Sequence, residues 1–171
     1  VTAHRRSEDE AAPDDATTLK LDAYLPYRLS VASNAVSGLI ARAYEDRFGL
    51  TIPQWRLICV LAEDGGLTQR AIVARTGMDK VTVSRAAQGL AKRRLVGRSD
   101  HHADGRSHML ALTQEGLRLH SEIAPLALAY EAALISGLAP TEVALLKRLL
   151  NRLQTAALAL AGAGRDVKSG A

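Results

Sequence analysis

A single cysteine, Cys59, in 171 residues excludes an intrachain disulfide and a cysteine-based metal cluster, and makes a reducing cytoplasm the expected setting. Aromatic residues are equally scarce, with one Trp, four Tyr and one Phe. The core must therefore be aliphatic, and the abundance of Ala and Leu favours helices over a β-sandwich or barrel. No stretch of about 18 consecutive apolar residues occurs, and the opening VTAHRRSEDEAAPDD has no apolar signal core. Neither export by that route nor a membrane partner is expected. Also missing are a glycine-rich phosphate loop after a strand, a G-x-S-x-G elbow, metal-ligand spacing and paired carboxylates on one helical face. The expectation is a protein that is not an enzyme and carries no cofactor or metal.

What is present is 47% apolar and 23% charged residues, the balance of an ordinary globular chain. The net charge of +4 is unevenly placed. Between Thr68 and Thr113 nine Lys or Arg face three acids, a local net of +6, so the remainder carries −2. Three of the five histidines, His101, His102 and His108, lie in the same stretch. A basic segment in a neutral-to-acidic frame is the electrostatic footprint of nucleic-acid binding.

Residues 1–18 are polar, lack periodicity and read as a disordered arm. Apolar residues at Leu21, Leu25, Leu29, Ala32, Val36, Leu39, Ile40 and Ala43 then follow the period of one helix face. Pro26 belongs in the first turn or at a kink, and Gly49 supplies a stop. A second helix is expected from Pro53 to Ala62, broken by Glu63-Asp64-Gly65-Gly66. Thr68 reads as the N-cap of a helix ending at Gly77, and Asp79 as the cap of the next, DKVTVSRAAQGLAKRR. Two short helices joined by a tight glycine turn form a helix-turn-helix. VGRS and SHMLALT, flanking a polar Asp/Gly tip, read as a β-hairpin. Two helices, Gln114 to Ser136 with a kink at Pro125 and Pro140 to Ala161, close the chain. Their apolar faces are broad for surface helices.

At 100° per residue the Asp79 helix places Val83, Ala86, Ala87 and Leu90 together. Val81, Arg85, Gln88 and Lys92 fall opposite, with Ser84 on the flank. That outer set suits a DNA major groove, where Arg reads guanine, Gln reads adenine and a Val methyl meets thymine. Thr68, Gln69, Lys80 and Thr82 are placed for phosphates. Arg98, His101, His102 and Arg106 of the hairpin are candidates for a minor groove, with an Asp104–Arg106 brace as the alternative for the last.

The segment Asp104 to Thr113, DGRSHMLALT, continuing as Gln-Glu-Gly, resembles the wing signature of the MarR family of bacterial regulators. LTIPQWRLICVL (50–61), Thr68-Gln69 and VTVSR (81–85) support the resemblance, which spans 21–160. It implies a mainly α fold with a small β-hairpin wing, and a homodimer built from a helical region, 19–50 and 114–161. A winged helix-turn-helix lobe, 51–113, would sit on a pseudo-palindromic double-stranded operator, and 162–171 would be a flexible tail. The implied activity is repression, relieved by a small effector such as a phenolic acid or an aromatic acyl thioester. In such a fold Tyr24, Tyr27, Arg28 and Asn34 of the first helix, with Trp55 and Arg56 of the second, are candidate ligand residues. The alternative is that the rings are core and that Arg28 pairs with an acid. Two other functions stay open: a winged helix used for protein contacts, and an oxidant sensor acting through Cys59. Two departures from the family stand out. Gly89 interrupts the reading helix at a cost of about 1 kcal/mol relative to Ala, and Arg93-Arg94 replaces the small residue usual at its end.

Overall fold

The computed structural model describes residues 19–100 and 108–166. The chain divides into two compact units, Val1–Ile52 and Pro53–Ala171.

In the first unit a 3₁₀ turn, Leu21–Ala23, precedes α1, Leu25–Phe48. The helix expected from Leu21 thus starts at Leu25, after an extended Tyr24 (φ −78°, ψ 107°). Proline has no N–H, and its ring collides with the carbonyl four residues back, so Pro26 is tolerated only in a first turn. The far end closes where Gly49 turns left-handed (φ 60°) and its N–H reaches the Glu45 carbonyl at 2.9 Å. Among the described residues of this unit, Tyr44 and Leu50 are the buried large side chains.

The second unit carries α2 (Ile52–Asp64), β1 (Leu67–Thr68), α3 (Gln69–Thr76), α4 (Lys80–Lys92), β2 (Val96–Asp100), β3 (His108–Leu112), α5 (Gln114–Ile135) and α6 (Pro140–Asp166). The strands form an antiparallel sheet ordered β1-β3-β2. Leu110 pairs with Arg98 on one side and with Leu67 on the other. The hairpin is the expected wing. Strand β1 was not expected, because two residues carry no periodicity and it exists only by pairing with β3. The last helix runs on to Asp166 rather than stopping at Ala161.

The core is aliphatic, as the scarcity of aromatics requires. Leu57, Ile58, Leu61, Ile72, Val83, Ala87, Leu90, Leu110 and Ile123 are fully or almost fully buried. These residues come from α2, α3, α4, β3 and α5, so one core locks the helix-turn-helix to the wing. Two glycines sit at close approaches. A Cβ on Gly116 would press into the backbone carbonyl of Leu95, while one on Gly89 would lie 2.5 Å from the Gln54 side-chain amide. Gly89 therefore marks where α2 and α4 come together. No described residue of α6 is buried, and Leu145, Leu146, Leu149, Leu150 and Leu153 are all exposed on it.

Candidate functional site

Local hydrogen bonds set each boundary of the α3–turn–α4 segment. Thr68 Oγ1 accepts from the Ala71 N–H at 3.2 Å, capping α3. Its other end turns at Gly77 (φ 67°), a conformation that only glycine adopts without strain. Met78 is buried beneath the turn. Asp79 then caps α4 with both carboxylate oxygens: Oδ1 accepts from the Thr82 N–H at 2.8 Å and Oδ2 from the Thr82 hydroxyl at 2.6 Å. The Thr82 hydroxyl, followed by its N–H, holds the Asp79 carboxyl below the usual carboxylate range.

The faces of α4 divide as its spacing predicts. Val83, Ala86, Ala87 and Leu90 are buried. Lys80, Val81, Arg85, Gln88 and Lys92 are exposed, and Ser84 is half-buried on the flank. Val81 is 57% exposed, an apolar side chain offered to solvent in the first turn of a helix otherwise polar on that side. Gln88 Nε2 donates to Ser84 Oγ at 3.4 Å, which orients its amide along the helix. Thr68 and Gln69 are half-buried where α3 begins. The proton of the Thr82 hydroxyl is given to Asp79, so Thr82 offers an outside group only an acceptor while that bond lasts.

The helix ends in a left-handed residue that is not glycine. Arg94 has φ 59°, its N–H reaches the Ala91 carbonyl at 3.0 Å, and the Leu95 N–H reaches the Leu90 carbonyl at 3.0 Å. This pair of bonds is a Schellman closure. It leaves Lys92, Arg93 and Arg94 exposed in succession. Arg98 is exposed on β2, whereas His101, His102, Asp104 and Arg106 lie outside the described residues. One member of the basic segment is used internally. Arg75 Nε bonds Asp64 Oδ2 at 2.8 Å, and its Nη2 bonds Glu63 Oε2 at 3.1 Å, so its charge is balanced by the end of α2.

The candidate ligand residues fall on both units. Tyr27, Arg28 and Asn34 are exposed on α1, and Tyr24 is exposed at the extended residue just before it. Trp55 and Arg56 are on α2, where the Trp55 ring stacks on His120 of α5 with centroids 5.8 Å apart and planes 19° apart. Along the same side of α2 runs an open cleft of about 300 Å³, lined by Trp55, Arg56, Cys59, Val60 and Glu63 together with Arg75 and Thr76 of α3. Sequence reasoning did not associate His120, Arg75 or Thr76 with this region. Glu63 and Asp64, expected at the break after Ala62, form the last residues of α2. Cys59 is half-buried, and burial, followed by the nearby Glu63 charge, pushes its thiol up to about 12. Among the described residues no group of three His, Cys, Asp or Glu side chains is placed to hold a metal ion. No single described helix is long and apolar enough to cross a membrane.

The sequence profile of the MarR family matches residues 48–107. A probable transcriptional regulator from Pseudomonas aeruginosa is 30% identical, with a TM-score of 0.70 over 78% of this chain and 99% of that one. A MarR family transcriptional regulator from Silicibacter pomeroyi is 27% identical, with a TM-score of 0.71 over 80% and 91%. BpsR of Bordetella bronchiseptica, whose DNA binding is regulated by 6-hydroxynicotinic acid, is 25% identical, with a TM-score of 0.75 over 80% and 97%. No curated protein sequence matches the chain.

Proposed function

The chain belongs to the MarR family of transcriptional regulators, and we propose that it is a homodimeric repressor that leaves a pseudo-palindromic operator when a small aromatic acid, or its thioester conjugate, binds. The observation that carries this reading is the exposed face of α4, with Val81, Arg85, Gln88 and Lys92 standing over a fully apolar inner face. A helix so divided, capped at Asp79 and held behind a tight turn, is shaped to enter a major groove. Arg85 is the candidate for guanine, Gln88 for adenine and the Val81 methyls for thymine. Lys80, Lys92, Thr68 and Gln69 are assigned to phosphates, Thr82 joins them only when its hydroxyl turns away from Asp79, and Arg98, with His101, His102 and Arg106, is assigned to the flanking groove.

The dimer is supported by α6. A helix of 27 residues with no buried side chain among the described residues and a row of exposed leucines presents a broad apolar face to solvent. A second copy is self-complementary across a two-fold axis, and it would set two reading helices about one DNA turn apart. In this assignment 19–50 and 114–161 form the dimerisation region and 51–113 the DNA-binding lobe. The effector class is supported by the relative whose DNA binding responds to 6-hydroxynicotinic acid. Tyr24, Tyr27, Arg28, Asn34, Trp55 and Arg56 are its candidate contacts. Sensing through Cys59 is disfavoured, because a thiol at about 12 is almost wholly protonated at neutral pH.

The test is selection from random duplexes by the purified chain, followed by a salt titration on the winning sequence. A two-fold-related motif with half-sites roughly 10 base pairs apart, bound with an affinity that falls steeply with salt, is the expected result. Enrichment of no sequence would leave a winged helix that serves protein contacts.

A further inference from the structure

We propose that Arg75 is a positioning residue for DNA recognition: held by Glu63 and Asp64, it clamps the C-terminal end of α3 to the C-terminal end of α2 and fixes the angle at which α4 is presented. This rests on the DNA-binding half of the function proposed above. It gives two acids a part in the binding of a polyanion.

The clamp is a network rather than a single contact. Arg75 forks onto one carboxylate, Nε donating to Asp64 Oδ2 at 2.8 Å and Nη2 to Asp64 Oδ1 at 3.3 Å, and Nη2 also donates to Glu63 Oε2 at 3.1 Å. Bidentate pairing fixes the orientation of both partners as well as their distance, which an ammonium on a flexible stem does not. Two acids in the last turn of α2 oppose that helix's dipole, and the Arg75 charge offsets them. The α2 side is firmly held. Leu57, Ile58 and Leu61 are buried in the core, and behind Asp64 the Gly65 N–H reaches the Leu61 carbonyl at 3.1 Å.

Between Arg75 and α4 the chain has no slack. Thr76 Oγ1 donates to the Ile72 carbonyl at 2.7 Å and accepts from the Met78 N–H at 3.3 Å. The Gly77 N–H reaches the Val73 carbonyl at 3.0 Å, Met78 is buried and Asp79 caps α4. Because α3 also packs on α4, a tilt of α3 is passed to the first turn of α4, where Lys80 and Val81 stand. The other point at which α2 approaches α4, Gln54 beside Gly89, lies about 15 Å back along α2. Two separated supports fix a direction, and one alone leaves a pivot.

The ion pairs are exposed, so their contribution to global stability is small. Their effect falls on recognition. A reading helix free to tilt has to be ordered when it meets base edges, and in a homodimer that cost arises twice. Phosphate contacts carry no sequence information, so losing the clamp lowers affinity for the chosen sequence and spares binding to any other.

Removing an acid by itself favours a polyanion, so the sign of the effect separates a clamp from a charge. Full-length Asp64→Asn and the double variant Glu63→Gln/Asp64→Asn are titrated with the selected duplex and with a scrambled duplex of equal length, and their urea midpoints are measured. In the double variant, affinity for the selected duplex should fall about 5-fold or more, with a smaller fall in Asp64→Asn. Affinity for the scrambled duplex should stay level or rise, and the midpoints should remain close to wild type. Arg75→Lys, which keeps the charge and loses the fork, should lie between wild type and Arg75→Gln. Unchanged or tighter binding of the selected duplex by the double variant would overturn the proposal and leave the DNA-binding reading in place. An equal loss on both duplexes would overturn it as well, since the clamp would then serve no sequence reading. If the wild-type chain selects no duplex, both fall.

Discussion

The Thr113 hydroxyl donates a 2.7 Å hydrogen bond to the carbonyl oxygen of Arg94, so the residue that starts α5 also holds the residue that ends α4. The Thr113 hydroxyl oxygen also accepts from the Gly116 N–H at 3.1 Å, and the Thr113 N–H reaches the Leu95 carbonyl at 3.1 Å. Two separate backbone groups meet at one side chain, and a third is held by the backbone N–H of the same residue. The threonine that closes the wing's Leu-Thr pair is thus a junction between α4, the wing and the helix that follows.

Replacing that threonine by valine keeps the shape and removes both side-chain bonds. The loss of an N-cap and of a tertiary hydrogen bond together is expected to cost about 1–3 kcal/mol. Urea unfolding of Thr113→Val against wild type measures it, and a difference within error would show that the junction contributes nothing.

Two glycines separate by what surrounds them. Gly116→Ala drives a methyl into the Leu95 carbonyl, a backbone atom fixed by its bond to Thr113, and should cost roughly 3 kcal/mol or more. At Gly89 the obstacle is the end of the flexible Gln54 side chain, which can swing aside, while alanine gains about 1 kcal/mol of helix propensity. Gly89→Ala should therefore remain within roughly 1 kcal/mol of wild type, and denaturation midpoints of the two variants test the contrast.

Arg94 occupies a left-handed conformation that costs a side-chain-bearing residue about 1–2 kcal/mol relative to glycine. Arg94→Gly should raise stability by up to about 1 kcal/mol, part of the gain being lost to a more flexible unfolded chain. It should also lower the slope of log affinity for DNA against log salt by about one. Thermal unfolding and a salt titration measure both effects on one protein.

Asp79 gives the helix start a pH dependence of known sign. Its folded-state carboxyl is held below the usual value by Thr82, so its contribution is complete above the unfolded pKa of about 3.9. It is lost as pH falls through the lower folded value. Asparagine retains one acceptor but cannot accept from both Thr82 groups. The melting temperatures of wild type and Asp79→Asn should differ at neutral pH and converge as the solution is taken below about pH 4. A gap that stays constant in acid would contradict the assignment.

With its thiol at about 12, Cys59 holds a thiolate fraction on the order of 10⁻⁵ at pH 7. Alkylation by iodoacetamide should be far slower in the native protein than in urea. Peroxide treatment should leave DNA affinity unchanged in wild type and in Cys59→Ser, and release of DNA from wild type alone would restore the oxidant-sensing alternative.

The local half of this fold is legible in the sequence. Thr68, Gly77 and Asp79 mark the helix boundaries because a cap bonds groups within three or four residues of itself, and the division of α4 into two faces follows from its period. Other features depend on partners far along the chain. Strand β1 needs β3, the Arg75 charge is cancelled by α2, and the cleft beside Trp55 exists because α3 brings Arg75 and Thr76 to α2. Gly89 reads in isolation as a defect; the structure supplies its neighbour, Gln54.

The sequence by itself determined that the chain is helical with an aliphatic core, that a helix-turn-helix precedes a hairpin, and which side of α4 is left exposed. Composition, spacing and capping act over a single turn, so no tertiary contact is needed to state them. Only the tertiary structure decided that Thr113 ties α4 to α5, that Arg94 rather than a glycine turns the chain left-handed, and that Arg75 is withdrawn from the basic face. Those outcomes depend on which backbone carbonyls and carboxylates packing brings within about 3 Å.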